Sequence, residues 1–311
     1  MREKINQTTT AILMAYLRGY HAACDFPKIF DDYLAYQMIG EEVCTFYEQQ
    51  YTSLRSLQFL EYLGFKGSAQ NDNKAATLAM AIHGYSPLPL PVSRSRYAED
   101  NLEQAVRQGI RQYVILGAGL DTFAFRRPSM LEELQVFEVD HPNMQEYKRR
   151  RLSELGWSLP AQLHFVPVDL VQESLSTALS CSSYDPQSPS FFNWLGVTYY
   201  LTRDAVFNTL STISQFAPSG SIIVFDYAHK DVFVPEKTSE LMQIGLKFCK
   251  EQGEPWLTGF DPSELATELA SIGLRVQEDL TPHDIQERFF QGRTDNYHAY
   301  ELVHFLSAIV E

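Results

Sequence analysis

The sequence predicts an α/β fold: a doubly wound, mostly parallel sheet of seven strands, with a helical cap at the N-terminus. Three observations carry this. Residues 1 to about 106 have apolar positions at helical spacing and no strand-like alternation. After Gly109 the pattern changes to short apolar strands alternating with helical stretches, the grammar of a parallel sheet. The first of these strands runs directly into a glycine-rich turn, Gly117-Ala118-Gly119.

TTTAILMAYLRGYHAA (8–23) reads as a helix opened by threonine caps. IFDDYLAYQMIGEEV (29–43), YTSLRSLQFLEYLGF (51–65) and NDNKAATLAMAIHGY (71–85) continue the helical spacing. SPLPLPVS (86–93) is a proline-rich break, and NLEQAVRQG (101–109) is a helix stopped by Gly109. The strands are YVILG (113–117), LQVFEVD (134–140), LHFVPVDL (163–170), SPSFFNWLG (188–196), SIIVFDY (221–227), LRVQEDL (274–280) and YHAYELVHFLSAIV (297–310). The last two form a terminal pair around the helix TPHDIQERFFQG (281–292). Other helices are PNMQEYKRRRLSELG (142–156), RDAVFNTLSTISQFA (203–217) and DPSELATELASIG (261–273). Residues 229–258 have weak helical periodicity and read as an insertion. The domain division is a cap over 1–106 and a core over 107–311.

The chain has 311 residues, 45% apolar and 21% charged, which is ordinary for a globular protein. Its net charge of −14 disfavours phosphate backbones and anionic membrane surfaces. KRRR (148–151), the densest basic run, is expected on a solvated helix face. Cys24, Cys44, Cys181 and Cys249 are scattered with no CxxC, so neither a zinc site nor a redox pair is indicated, and a reducing compartment is expected. The apolar run Ala11–Leu17 is too short for a signal h-region or a membrane span. The protein is expected to be cytoplasmic.

In a doubly wound sheet the ligand lies beyond the carboxyl ends of the strands, and the first strand-to-helix turn is glycine-rich so that the ligand can approach the backbone. Gly117 and Gly119 suit this, although a GxG alone also suits a ligand-free turn. Asp140 ends the second strand, where a carboxylate can accept both ribose hydroxyls or cap the next helix. Asp169, near the end of the third strand, is placed for an adenine amine or, again, for a cap. A dinucleotide fingerprint needs a third glycine; Thr122 stands there. Asp121 in the loop would repel a pyrophosphate but favours a sulfonium or ammonium. That charge argument selects S-adenosylmethionine over NAD. The Tyr62–Lys66 pair has dehydrogenase-like spacing but precedes the loop and is read as chance.

LGAGLDTFAFR followed by VFEVDHPNMQEYKRRRL resembles the leucine carboxyl methyltransferase family, with its bacterial tetracenomycin-type polyketide carboxyl O-methyltransferase relatives. The likeness continues in VSRSRYAEDNLEQAVRQG, FNWLGVTYYLTRDAVFNTL and GSIIVFDY. It implies a class I methyltransferase core of Rossmann-like topology under a helical cap. It also implies that Gly117 and Gly119 line the cofactor and that Asp121 lies near its amino acid part. By the same likeness Arg94 (or Arg96) pairs with the methionine carboxylate, Asp140 holds the ribose, and Asp169 and Leu170 flank the adenine. One position departs: relatives often carry an acid before Gly-Val after the fourth strand, and Leu195 stands there.

Methyl transfer from a sulfonium is an in-line displacement that requires alignment and exclusion of water. An ionised carboxylate needs no general base, and the scattered His229, His283, His298 and His304 offer none. The expected reaction is O-methylation of a small-molecule carboxylic acid. Tyr199 and Tyr200 are the candidate catalytic donors to that carboxylate, and Arg18, Tyr20 and His21 are possible cap contributions. The alternatives are a protein C-terminal carboxyl methyltransferase and a non-catalytic nucleoside-binding protein. The expected cofactor is S-adenosylmethionine, with no metal, no nucleic acid and no membrane partner; the oligomeric state is open.

Overall fold

The computed structural model describes residues 9–64, 73–170 and 172–311; Lys66 lies outside them. The helices before the sheet are α1 (Thr9–Cys24), α2 (Ala35–Ile39), α3 (Glu41–Tyr51), α4 (Leu54–Tyr62), α5 (Lys74–Tyr85) and α6 (Pro89–Arg107). The core continues with β1 (Gln112–Leu116), α7 (Phe123–Arg126), β2 (Gln135–Asp140), α8 (Pro142–Glu154), β3 (Leu163–Pro167) and α9 (Leu175–Ser180). Then come β4 (Ser190–Trp194), α10 (Arg203–Phe216), β5 (Ile222–Ala228), α11 (Glu240–Glu251) and α12 (Pro262–Ser271). The chain closes with β6 (Leu274–Leu280), α13 (Pro282–Ile285) and β7 (Val303–Val310).

The strands form one sheet in the order β3-β2-β1-β4-β5-β7-β6. β1 to β5 run parallel, and β7 lies antiparallel between β5 and β6. The order reverses between β1 and β4, so the crevice at their carboxyl ends is the topological switch point where such sheets bind ligands. The central strands β1, β4 and β5 are buried along their whole length, which accounts for their continuous apolar runs. Each face of the sheet carries its own apolar core. One joins Tyr97 and Leu102 of α6 and Leu13 and Leu17 of α1 to the sheet; the other packs Leu210 and Ile213 of α10 against Phe192 and Phe225. The cap is thus continuous with the first core. The helix just before the predicted boundary, α6, packs on β4 and β5.

Several elements differ from expectation. The stretch 29–43 is two helices, because Gly40 adopts φ +87° between them. The proline-rich break is instead the start of α6: Pro89 takes the first turn of a helix, where an N–H has no intrahelical partner to lose. The expected long final strand begins only at Val303; Leu302 has φ +57°, which strand geometry does not allow. The third strand ends at Pro167, before Asp169. Of the insertion, residues 240–251 form α11, and 230–233 and 235–237 are short 3-10 turns. The four cysteines are free. Among the described residues no helix is long and apolar enough to cross a membrane.

Candidate active site

A cavity of about 1310 Å³ opens at the switch point. A single ligand site typically occupies roughly 300–1,000 Å³, so the chamber has room for a cofactor and a second molecule. Of the predicted site residues, all nine line it: Arg94, Gly117, Gly119, Asp121, Asp140, Asp169, Leu170, Tyr199 and Tyr200.

The loop after β1 is built from both sides. Gly117 and Gly119 have φ +67° and +50°, a region side chains rarely adopt. A Cβ at Gly117 would lie 2.5 Å from Val197 Cγ2, so protein packing as well as ligand approach demands glycine there. Asp140 holds the loop: its carboxylate accepts from the Gly119 amide at 2.5 Å and the His141 amide at 2.7 Å. Burial pushes the Asp140 carboxyl up, and the two amides pull it back. A carboxylate offers about four acceptor positions; two of Asp140's remain for ribose hydroxyls. The helix cap at α8 is His141, whose ring accepts from the Asn143 amide at 3.3 Å, so Asp140 is free of that duty. Asp169 lies half-buried at the same edge and accepts from the Gln172 side chain at 2.7 Å.

Two supports of this loop were not anticipated. Lys148, expected on a solvated face, is buried. Its ammonium lies 2.6 Å from Glu138 Oε2 and donates to the Asp121 carbonyl at 2.6 Å. Arg149 and Arg150 of the same run are exposed. Burial drives the Glu138 carboxyl above the usual range against the pull of Lys148. On the other side, Thr122 donates to Asp32 at 2.5 Å, and Asp32 accepts from Arg18 Nε at 2.8 Å. Arg18 also donates to the Leu120 carbonyl at 3.0 Å. Thr122 therefore replaces the third glycine because the loop is tied to the cap at that point. Tyr20 and His21 do not reach the cavity; His21 pairs with buried Asp25, which also receives His83 and Tyr297.

Arg94 is separated from Arg96 by the fold. Arg96 is half exposed and pairs with Asp100 one helical turn on. Arg94 is buried and donates to Asp226 at 2.9 Å and to the Tyr199 hydroxyl at 2.7 Å; Tyr199 in turn donates to Asp226 at 2.5 Å. The Gly196 amide donates to the other Asp226 oxygen at 2.6 Å, and a Cβ on Gly196 would collide with the Arg94 guanidinium at 2.6 Å. Asp226 was missed, although an acid inside the apolar run IIVFDY was a signal. It is the buried acid at the corner where Leu195 stands. The Tyr199 hydroxyl, expected to serve an acceptor, is consequently occupied with Arg94 and Asp226. Tyr200, the other candidate donor, lines the cavity half-buried.

The residues fit the methionine end of the expected cofactor. Asn193 Oδ1 is buried with no partner among the described residues, while its amide donates to Tyr113 at 2.8 Å. An orphaned buried acceptor calls for a donor, and the ammonium of methionine is one. Arg94 uses one nitrogen on Asp226 and retains others for a carboxylate.

The sequence model of leucine carboxyl methyltransferases matches residues 11–214. The chain belongs to the leucine carboxyl methyltransferase family. It is 36% identical over 313 residues to the putative S-adenosyl-L-methionine-dependent methyltransferase YktD of Bacillus subtilis, covering 98% of this chain and 99% of that protein. A putative S-adenosyl-L-methionine-dependent methyltransferase of Mycobacterium marinum is 35% identical over 212 residues, 62% of this chain and 64% of that one. Among solved structures, a putative methyltransferase from Thermobifida fusca has a TM-score of 0.53 at 15% identity over 78% of this chain and 89% of that one. A DUF574 family protein from Streptomyces avermitilis gives 0.52 at 16% over 82% and 97%. At that identity the two structures establish the fold. This methyltransferase uses S-adenosylmethionine.

Proposed function

We propose that this methyltransferase transfers the methyl group to a carboxylate of a small organic acid. The observation that carries the reading is the make-up of the cavity beyond the cofactor residues. Among the described residues lining the chamber, the only imidazole is His141, which is committed to capping α8. Apolar and aromatic side chains, among them Leu90, Tyr85, Trp256 and Tyr300, make up much of the wall there. A nucleophile that arrives already ionised, as a carboxylate does, needs no imidazole there. S-adenosylmethionine, when bound, supplies a methyl group on a positively charged sulfur. With the cofactor held by Arg94, Asn193 and Asp140, an acceptor carboxylate oxygen would take the methyl, the carbon–sulfur electron pair would stay with sulfur, and no proton would have to move. The chain aligns the partners and excludes water.

Glu254 supports a second reading. It faces this end of the cavity, the Thr10 hydroxyl donates to it, and burial raises its carboxyl. Such a group suits deprotonation of a hydroxyl acceptor. Incubation with methyl-labelled S-adenosylmethionine and a panel of aromatic and aliphatic acids and phenols separates these. The expected product releases labelled methanol in mild alkali, as an ester does. An alkali-stable product would refute the carboxylate and favour the hydroxyl. Label retained in protein rather than in extractable metabolite would favour a protein C-terminal acceptor.

A further inference from the structure

The part of the cavity that the cofactor residues do not use has a definite form. One wall is α3 and α4, presenting Phe46, Tyr47 and Phe59; the facing wall is α11, presenting Leu241, Ile244 and Phe248. Polar contacts close it at both ends, one of them directly between the two walls. At one end the Tyr62 hydroxyl donates to Glu240 at 2.9 and 3.1 Å, joining the end of α4 to the start of α11. At the other, Thr10 at the start of α1 donates to Glu254, just beyond α11. Between the ties large apolar side chains are left uncovered by the described residues, with Arg55 and Lys247 at the lining too: Phe46, Ile244 and Phe248 are 53%, 41% and 40% exposed. Of α11 only Met242 is buried. An unfilled apolar trough with polar pins at its ends is the signature of a ligand surface rather than of a core.

The trough is continuous with the cofactor end. Trp256, which follows α11, stacks on Tyr199 with ring centroids 4.3 Å apart, and the Leu257 amide donates to the Tyr199 carbonyl at 2.6 Å. Tyr199 is the residue that braces Arg94. The far end of the trough, at Tyr62 and Glu240, is therefore separated from the reacting end by the length of α11. Its 12 residues span about 18 Å at 1.5 Å each.

We propose that the methyl acceptor is an elongated amphiphile whose apolar body lies in the trough between α3–α4 and α11, its reacting oxygen at the Tyr200–Trp256 end and its tail toward Tyr62. The inference rests on the methyltransferase reading for its reacting end and adds the acceptor's shape and polarity. The insertion 229–258 is, in this view, the element that selects the substrate.

The test uses the full chain saturated with S-adenosylhomocysteine. Butanoate, octanoate and dodecanoate are titrated by calorimetry below their micellar concentrations. Affinity is expected to rise about 4-fold per added methylene until the trough is full. Phe248→Glu and Ile244→Glu, both on the open face of α11, are expected to abolish that dependence while leaving S-adenosylhomocysteine affinity unchanged. A flat response in the parent protein, or a dependence that survives both substitutions, overturns the proposal. Failure to bind S-adenosylhomocysteine at all overturns the cofactor reading beneath it. Dodecan-1-ol binding as tightly as dodecanoate upholds the trough and refutes the carboxylate.

Discussion

Replacing Lys148 by Met tests how the cofactor loop is held. Lys148 and Glu138 are each 1% exposed in their side chains, with 2.6 Å between ammonium and carboxylate. Met keeps the apolar stem and removes only the charge and the donors. Breaking a buried pair from one side leaves an uncompensated charge and costs about 3–5 kcal/mol. Glu138 can escape part of that cost by taking up a proton, because burial already raises its carboxyl. The sign of the pH dependence follows. A carboxyl raised in the folded state binds more protons folded than unfolded, so its contribution is intact below the ordinary glutamate range and is lost as pH rises. The deficit of Lys148→Met in urea denaturation should therefore be larger at about pH 8 than at about pH 5. Adding Glu138→Met removes the orphaned charge and should bring stability back to within about 1 kcal/mol of the parent. It does not restore the donor to the Asp121 carbonyl. A hydrogen bond from a charged group is worth about 1.5–3 kcal/mol, so the double variant should still bind S-adenosylhomocysteine roughly tenfold more weakly by calorimetry. A single variant as stable as the parent at both pH values, or a double variant with full affinity, would refute the assignment of Lys148 as the brace of the loop.

Gly117→Ala meets both a left-handed backbone and Val197, and should cost about 2–5 kcal/mol in a denaturant titration. Pairing it with Val197→Ala should recover only the part due to the collision; complete recovery would mean the positive φ carries no strain. Arg94→Met should abolish measurable S-adenosylhomocysteine binding and leave Asp226 buried without its cation. Arg96→Met, removing an exposed pair, should change stability by less than about 1 kcal/mol and binding not at all.

How much of this was legible in the chain varies with how local the cause is. The strands were, because a buried parallel strand is a continuous apolar run and needs no partner to be recognised. So was the placing of three features at one edge of the sheet: the glycine turn, Asp140 at the end of β2 and Asp169 beyond β3 all line the cavity, as strand geometry alone predicts. Element boundaries failed where one residue's backbone decided them, at Gly40 and Leu302, and where proline opened a helix instead of ending one. Roles that depend on distant neighbours were not readable. Arg94 and Arg96 are chemically alike, and only the direction of α6 makes one a buried partner of Asp226 and the other a surface residue. Lys148 sits in a run of four basic residues whose burial differs with position around α8. Tyr199 and Tyr200 are adjacent and both line the cavity, yet only the Tyr199 hydroxyl is bonded to Arg94 and Asp226. The acceptor trough is the extreme case. Its walls come from α3, α4 and α11, some two hundred residues apart, and each is an ordinary amphipathic helix on its own. Periodicity sets what each helix must bury, but only the packed chain decides which apolar faces find a protein partner and which are left for a ligand.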